Sequence, residues 1–193
     1  MNKKIEEYIA KEEAVNKIKN EIGKIIDGFF KSLSQIDKEK LFDESIPSNS
    51  KPIMQIMSQA YKFHSNEEYE KALPLFIEVS SYGNGEACYM VGNYYYNGLG
   101  VEMSYEKAFE YYELGAKYGH NDSRYRVGYM SFFGEGTPMN VDKGLEEMEN
   151  AAFLGSEDAI YMLSEIYEKG ICVERDDEVA DYWKSKIDGV GEA

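Results

Sequence analysis

The chain has 193 residues, of which 43% are hydrophobic, and a formal net charge of −15. That apolar content suits a packed core and excludes wholesale disorder; the negative charge repels phosphate and excludes nucleic acid and anionic membrane as natural partners. Two Cys and two His, each pair far apart, exclude a disulfide framework and a Cys-based zinc ribbon and leave little for a His-based metal site.

Charge and aromatics divide the chain in two. Residues 1–45 hold 9 Lys against 10 Asp and Glu, whereas residues 46–193 hold 12 Lys and Arg against 26 acids and carry 16 of the 17 Tyr. No apolar run is long enough to span a membrane, and the opening Met1-Asn2-Lys3-Lys4-Ile5-Glu6-Glu7 is charged where a signal peptide is apolar. A cytoplasmic protein is the expectation.

In the N-terminal segment, 1–45, Tyr8, Val15, Ile22, Phe29 and Ile36 recur every seven residues, with Ile18 and Ile25 between them. This is the spacing of a coiled-coil seam. Ile26, Phe30 and Leu33 widen the stripe toward packing on a domain, and Gly23 and Gly28 weaken a single long helix. The segment is therefore a cap on the domain that follows or a dimerisation helix, and the chain a monomer or a dimer through it. Asp37–Phe42 fits a short further helix, and Ser45–Pro52, with Pro47 and Pro52, fits a linker.

From residue 46 onward the sequence repeats itself every 36 residues. The series Gly83, Gly119, Gly155, Gly191 keeps this step, as do Tyr89, Tyr125, Tyr161 and Gly98, Gly134, Gly170. Units fall at about 47–82 (degenerate, with Lys62 and His64 where a Gly turn is expected), 83–118, 119–154 and 155–190. Each reads as two helices. The first runs over about Glu86–Asn97, Asp122–Phe133 and Asp158–Lys169, with Ala87, Val91, Tyr94 and Tyr95 inward. Its leading acids Glu86, Asp122 and Asp158 are accounted for by the helix dipole. A Gly-rich turn follows, at Gly98-Leu99-Gly100 and Gly134-Glu135-Gly136; Cys172 replaces the second Gly in the last unit and is expected to alter that turn. Second helices start at Ser104, Asn140 and Asp176, all good N-cap residues. The fold class is all-α: a right-handed α-solenoid of antiparallel helix pairs. On the second helix, Leu145 and Met148 are expected to be buried, while Asp181 and Lys184 in the same slots of the last unit mark a solvent-facing cap.

The second unit reads Ala87, Val91-Gly92, Tyr95, Gly98-Leu99-Gly100-Val101, Lys107-Ala108, Tyr111-Tyr112, Gly115-Ala116, Gly119. The third matches at Val127-Gly128, Gly134-Glu135-Gly136, Lys143-Gly144, Ala151-Ala152 and Gly155. The fourth matches at Ala159, Tyr167, Gly170, Val173, Ala180 and Trp183, with Ser164 and Cys172 departing from Gly. Residues 83–190 thus resemble the Sel-one-like repeat (SLR) family, a longer relative of the tetratricopeptide repeat. The resemblance implies an adaptor or scaffold role. Some secreted relatives are rich in cysteine and carry enzymatic activity, and their cysteine spacing is missing from this sequence.

Motifs of chemistry are sparse. Asn121-Asp122-Ser123 fits a glycosylation sequon by chance, and Gly83-Asn84-Gly85 lies in a repeat turn with no preceding strand to make a phosphate loop. His64 and His120 are expected in surface turns. Glu146, Glu147 and Glu149 read as a solvated helix face. No cofactor motif, catalytic constellation or metal site is expected. What remains is a surface. Opposite the inward positions of the first helices lie Tyr89, Asn93 and Tyr96, then Tyr125, Tyr129 and Phe132, then Tyr161, Glu165 and Glu168. First helices line the concave face of such solenoids, so these residues predict a groove, aromatic and then acidic, for a protein or peptide bearing apolar and basic groups. The alternatives are an immunity or inhibitor protein that neutralises a basic toxin and, behind it, an enzyme of unknown type.

Overall fold

The computed structural model describes residues 2–33 and 50–188. These form α1 (Lys3–Leu33), α2 (Ser50–Ser65), α3 (Tyr69–Ser80), α4 (Gly85–Asn97), α5 (Tyr105–Lys117), α6 (Asn121–Phe133), α7 (Val141–Phe153), α8 (Glu157–Lys169) and α9 (Asp177–Asp188), with no strand among the described residues. The chain falls into two compact units, 1–52 and 53–193. The short helix expected over Asp37–Phe42 and most of the expected linker lie outside the described residues.

In the first unit α1 is one continuous helix through Gly23 and Gly28, contrary to the weakening expected of them. A glycine costs only about 1 kcal/mol in a helix, which 31 residues of helix tolerate. Ile18, Ile22, Ile25 and Ile26 stand exposed along it.

In the second unit the helices pair antiparallel, α2 with α3, α4 with α5, α6 with α7 and α8 with α9. Side chains cap every helix start after the second pair begins. Asn84, His120 and Ser156 accept from Ala87, Ser123 and Ala159 at the first helices; Ser104, Asn140 and Asp176 accept from Lys107, Lys143 and Val179 at the second. Each first helix closes on a left-handed glycine, Gly98, Gly134 or Gly170. Ala87, Val91, Tyr94, Met130, Leu163 and Ile166 fill the core behind.

The second glycine of the turn has a different duty. A Cβ on Gly136 would lie 2.2 Å from the Tyr105 carbonyl oxygen, and one on Gly100 would lie 2.8 Å from the Glu70 nitrogen. Each turn thus rests directly on the backbone that opens the second helix of the preceding repeat. The turn expected to change at Cys172 keeps its left-handed form: Cys172 adopts φ +57°, against +63° and +66° at its counterparts Gly100 and Gly136, and stays exposed. The degenerate first pair turns instead through Glu67 at φ +61°.

The cap expectation is met at Asp181, which is exposed, and at Met148, which is fully buried. Lys184 is only partly exposed, because its Nζ reaches 2.7 Å from Glu168 Oε1. Leu145 is half-buried rather than buried.

Candidate protein-binding face

The first helices α4, α6 and α8 carry the expected groove residues, and those of α4 and α6 meet around Arg126. On α4, Tyr89 packs at 4.7 Å on the His120 ring and at 5.9 Å on Tyr112. Asn93 Oδ1 accepts from the buried Tyr112 hydroxyl at 2.7 Å. Tyr96 packs at 5.0 Å on Tyr105 and donates to Glu135 Oε2 at 2.9 Å. On α6, Tyr125 and Tyr129 lie 6.2 Å apart, and Tyr129 continues to Phe133 at 4.7 Å. Tyr89, Asn93, Tyr96 and Tyr129 are half-buried. They therefore present part of each side chain outward while the rest is fixed by neighbours.

Two of the expected residues sit deeper than a docking role requires. Phe132 is 0% exposed and Tyr125 7%. The reason for Phe132 lies across the helix pair: a Cβ at Gly144 would come 2.6 Å from the Phe132 Cβ. The other units carry Ala72, Ala108 or Ala180 in that slot, so glycine lets α7 close onto α6 and covers the ring. The exposed aromatic of α6 is Phe133, one residue on and 36% exposed.

Toward α8 the face changes character. Tyr161 is 57% exposed. Glu165 pairs with Lys169, and Glu168 with Lys184. Both acids expected to steer a basic partner are thus matched by cations on their own surface, which weakens the local field they project.

Three features escaped the sequence reading. His120, expected at the surface, has a side chain only 16% exposed. It caps α6 and its Nε2 meets Glu86 Oε2 at 2.8 Å, which ties one repeat to the next. His64 likewise lies in α2 rather than a turn, with Nδ1 at 2.8 Å from the Tyr94 hydroxyl. Arg126 stands between α4 and α6, its guanidinium carbon 5.9 Å from the Tyr96 ring centre and 5.6 Å from that of Tyr125. The repeat itself held the signal for Arg126: step by 36 and the column reads Met54, Met90, Arg126, Met162.

Burial sets the chemistry of these hydroxyls. It pushes Tyr96 up to about 12, helped by the Glu135 carboxylate, and Tyr125 up to about 12 against the opposing pull of Arg126. They remain neutral donors at physiological pH, suited to hydrogen bonding rather than proton transfer. Among the described residues no group of three or more His, Cys, Asp or Glu could hold a metal ion, and no helix is long and apolar enough to cross a membrane. The sequon is closed off: Ser123 is fully buried and the Asn121 amide donates to the Ala151 carbonyl at 3.2 Å.

Comparison with known proteins agrees with this architecture. A family model described as Sel1 repeat matches residues 85–120, 121–152 and 157–183. A search of curated proteins finds no significant match. Among solved structures the chain is similar to a Sel1 repeat protein from Oxalobacter formigenes, with 20% identity and a TM-score of 0.64 over 70% of this chain and 56% of that one. It is also similar to a protective antigen of uropathogenic Escherichia coli displaying an SLR fold, with 23% identity and a TM-score of 0.67 over 82% of this chain and 34% of that one. The chain thus spans about half and about a third of the lengths of these two proteins. At such identities the likeness concerns the fold, and the three in-phase repeat matches carry the assignment: this chain belongs to the Sel1-like repeat family, an all-α array of paired antiparallel helices.

Proposed function

We propose that the chain is a protein-interaction scaffold that holds a peptide or domain edge on the face of its first helices. The observation that carries this is the run Tyr96, Tyr129 and Phe133, large aromatic side chains left partly open on rigid helices while their neighbours fill the core. Rings with a polar handle are the usual anchors of interfaces, and a preformed helical face binds with little ordering cost. Tyr89, Asn93 and Tyr161 extend the same face; Phe132 and Tyr125 support it from below. A partner carrying basic groups suits the net charge of −15 as a whole. Because Glu165 and Glu168 are paired, the attraction belongs to the overall field rather than to those two acids.

Affinity capture from the native cell, followed by mass spectrometry, identifies the partner. Tyr129→Ala and Phe133→Ala are then each expected to cost about 1–3 kcal/mol of binding, with helicity unchanged. Unaltered affinity in both variants would remove this face from consideration.

A further inference from the structure

Arg126 is out of place by every rule that governs the residues around it. In the two neighbouring units its slot holds Met90, which is buried, and Met162, which is half-buried, so packing there takes an unbranched apolar side chain. The third unit instead puts there a guanidinium, half-buried on α6. The chain has 36 acidic residues, yet among the described residues no carboxylate lies within ion-pair distance of it. The acids on this face are engaged elsewhere, Glu135 by the Tyr96 hydroxyl, Glu165 by Lys169 and Glu168 by Lys184. The groups that surround Arg126 are the rings of Tyr96 and Tyr125 and the hydroxyls of Tyr89 and Tyr112. Its Nε is buried with no hydrogen-bond acceptor.

Taking a cation partly out of water without a counter-charge is costly. Contact with the faces of tyrosine rings and a hydrogen bond to the Tyr89 hydroxyl offset part of that cost, but Nε is left without an acceptor and the fork of N–H donors stays under-used. A carboxylate would complete it. A phosphate dianion fits less well, because its second charge has to enter the field of a chain at −15. Position argues for a side chain rather than a chain end. Arg126 lies on the middle first helix, with α4 on one side and α8 on the other, so a segment lying along the face passes over it and continues both ways.

We propose that Arg126 receives an Asp or Glu side chain from the interior of the bound segment, flanked there by apolar residues that rest on Tyr96, Tyr129 and Phe133. This rests on the binding-face reading above and adds to it a register point: basic groups answer the global charge, and one acid fixes where the segment sits.

The test selects a random peptide library, displayed on phage, against the wild-type chain, Arg126→Met, Arg126→Glu and Tyr129→Ala, each checked for helicity. The wild type is expected to enrich peptides with one internal Asp or Glu between aromatic or aliphatic residues. Arg126→Met restores the residue type of the sister repeats and so preserves packing. It should keep the apolar preference, lose the acid, and bind a resynthesised wild-type peptide about tenfold more weakly or worse. Arg126→Glu should enrich Lys or Arg at the same peptide position. If the wild type and Arg126→Met select the same peptides, the role of Arg126 falls while the face stands. If Tyr129→Ala binds the selected peptides as the wild type does, the face itself falls. A resynthesised peptide whose sole carboxylate is its C-terminus, bound as tightly as one with an internal acid, overturns the choice of a side chain. Failure of the folded wild type to enrich any peptide overturns both readings.

Discussion

Substituting Gly136 by Ala probes the joint between the second and third repeats, and its cost divides into two parts. The first is conformational. Gly136 sits at φ +66°, where an L side chain costs about 1–2 kcal/mol; the stiffer unfolded chain of alanine returns about 0.5–1 kcal/mol. Gly119 isolates this part, since it has φ +84° and nothing within 4 Å of an added Cβ. Gly119→Ala should therefore cost about 1 kcal/mol. The second part is the collision. On Gly136 the new Cβ lies 2.2 Å from the Tyr105 oxygen, 2.3 Å from its carbonyl carbon and 2.7 Å from the Glu106 nitrogen. These are backbone atoms at the opening of α5, so no rotamer change relieves the clash. The turn has to move off α5 by about 1 Å, an overpacking cost of about 1–3 kcal/mol. Gly136→Ala should then lose about 2–4 kcal/mol in all. Urea unfolding of both variants, followed by circular dichroism, measures the difference. Because repeats are stabilised by their neighbours, the weakened joint should also lower the slope of the Gly136→Ala transition. A Gly136→Ala loss within about 0.5 kcal/mol of the Gly119→Ala loss would refute direct seating of the turn on the preceding helix.

Other outcomes follow from single features. Cys172→Gly removes a positive φ from a residue with a side chain and should stabilise the chain by about 0.5–1 kcal/mol; a lower urea midpoint would contradict the strain. Met148→Ala, which empties a fully buried position, should cost about 2–5 kcal/mol, whereas Asp181→Ala on the exposed side of α9 should stay within about 0.5 kcal/mol of the wild type; equal losses would place α9 inside the fold. Burial holds the Tyr94, Tyr96 and Tyr125 hydroxyls up at about 12, above the unfolded value of about 10. The folded state thus keeps protons that the unfolded state gives up, so stability from these groups is complete below about pH 10 and falls as the pH climbs toward 12. Urea midpoints that stay level across that window would refute the burial of these hydroxyls.

The repeat period, the helix pairs and the family were legible in the sequence, because each depends on local rules that recur in phase. Ser104, Asn140 and Asp176 cap helices wherever they stand before one, Gly98, Gly134 and Gly170 end them, and Ala87, Val91 and Tyr94 share a face by the geometry of 3.6 residues per turn. Such rules need no knowledge of the neighbouring helix. The depth of a side chain does need it. Phe132 shares a slot with the half-open Tyr96, and helical phase alone treats them alike. Only the approach of α7, permitted by Gly144, covers one and spares the other. The same holds for charge. Glu165 and Glu168 read as free acids until Lys169 and Lys184 are seen to meet them, and His120 reads as a surface residue until Glu86 of the preceding repeat closes on it. Arg126 lies between these cases. Its departure from the methionine column was written in the sequence, but its lack of an acidic partner is a matter of distances between helices, which only the tertiary structure decides.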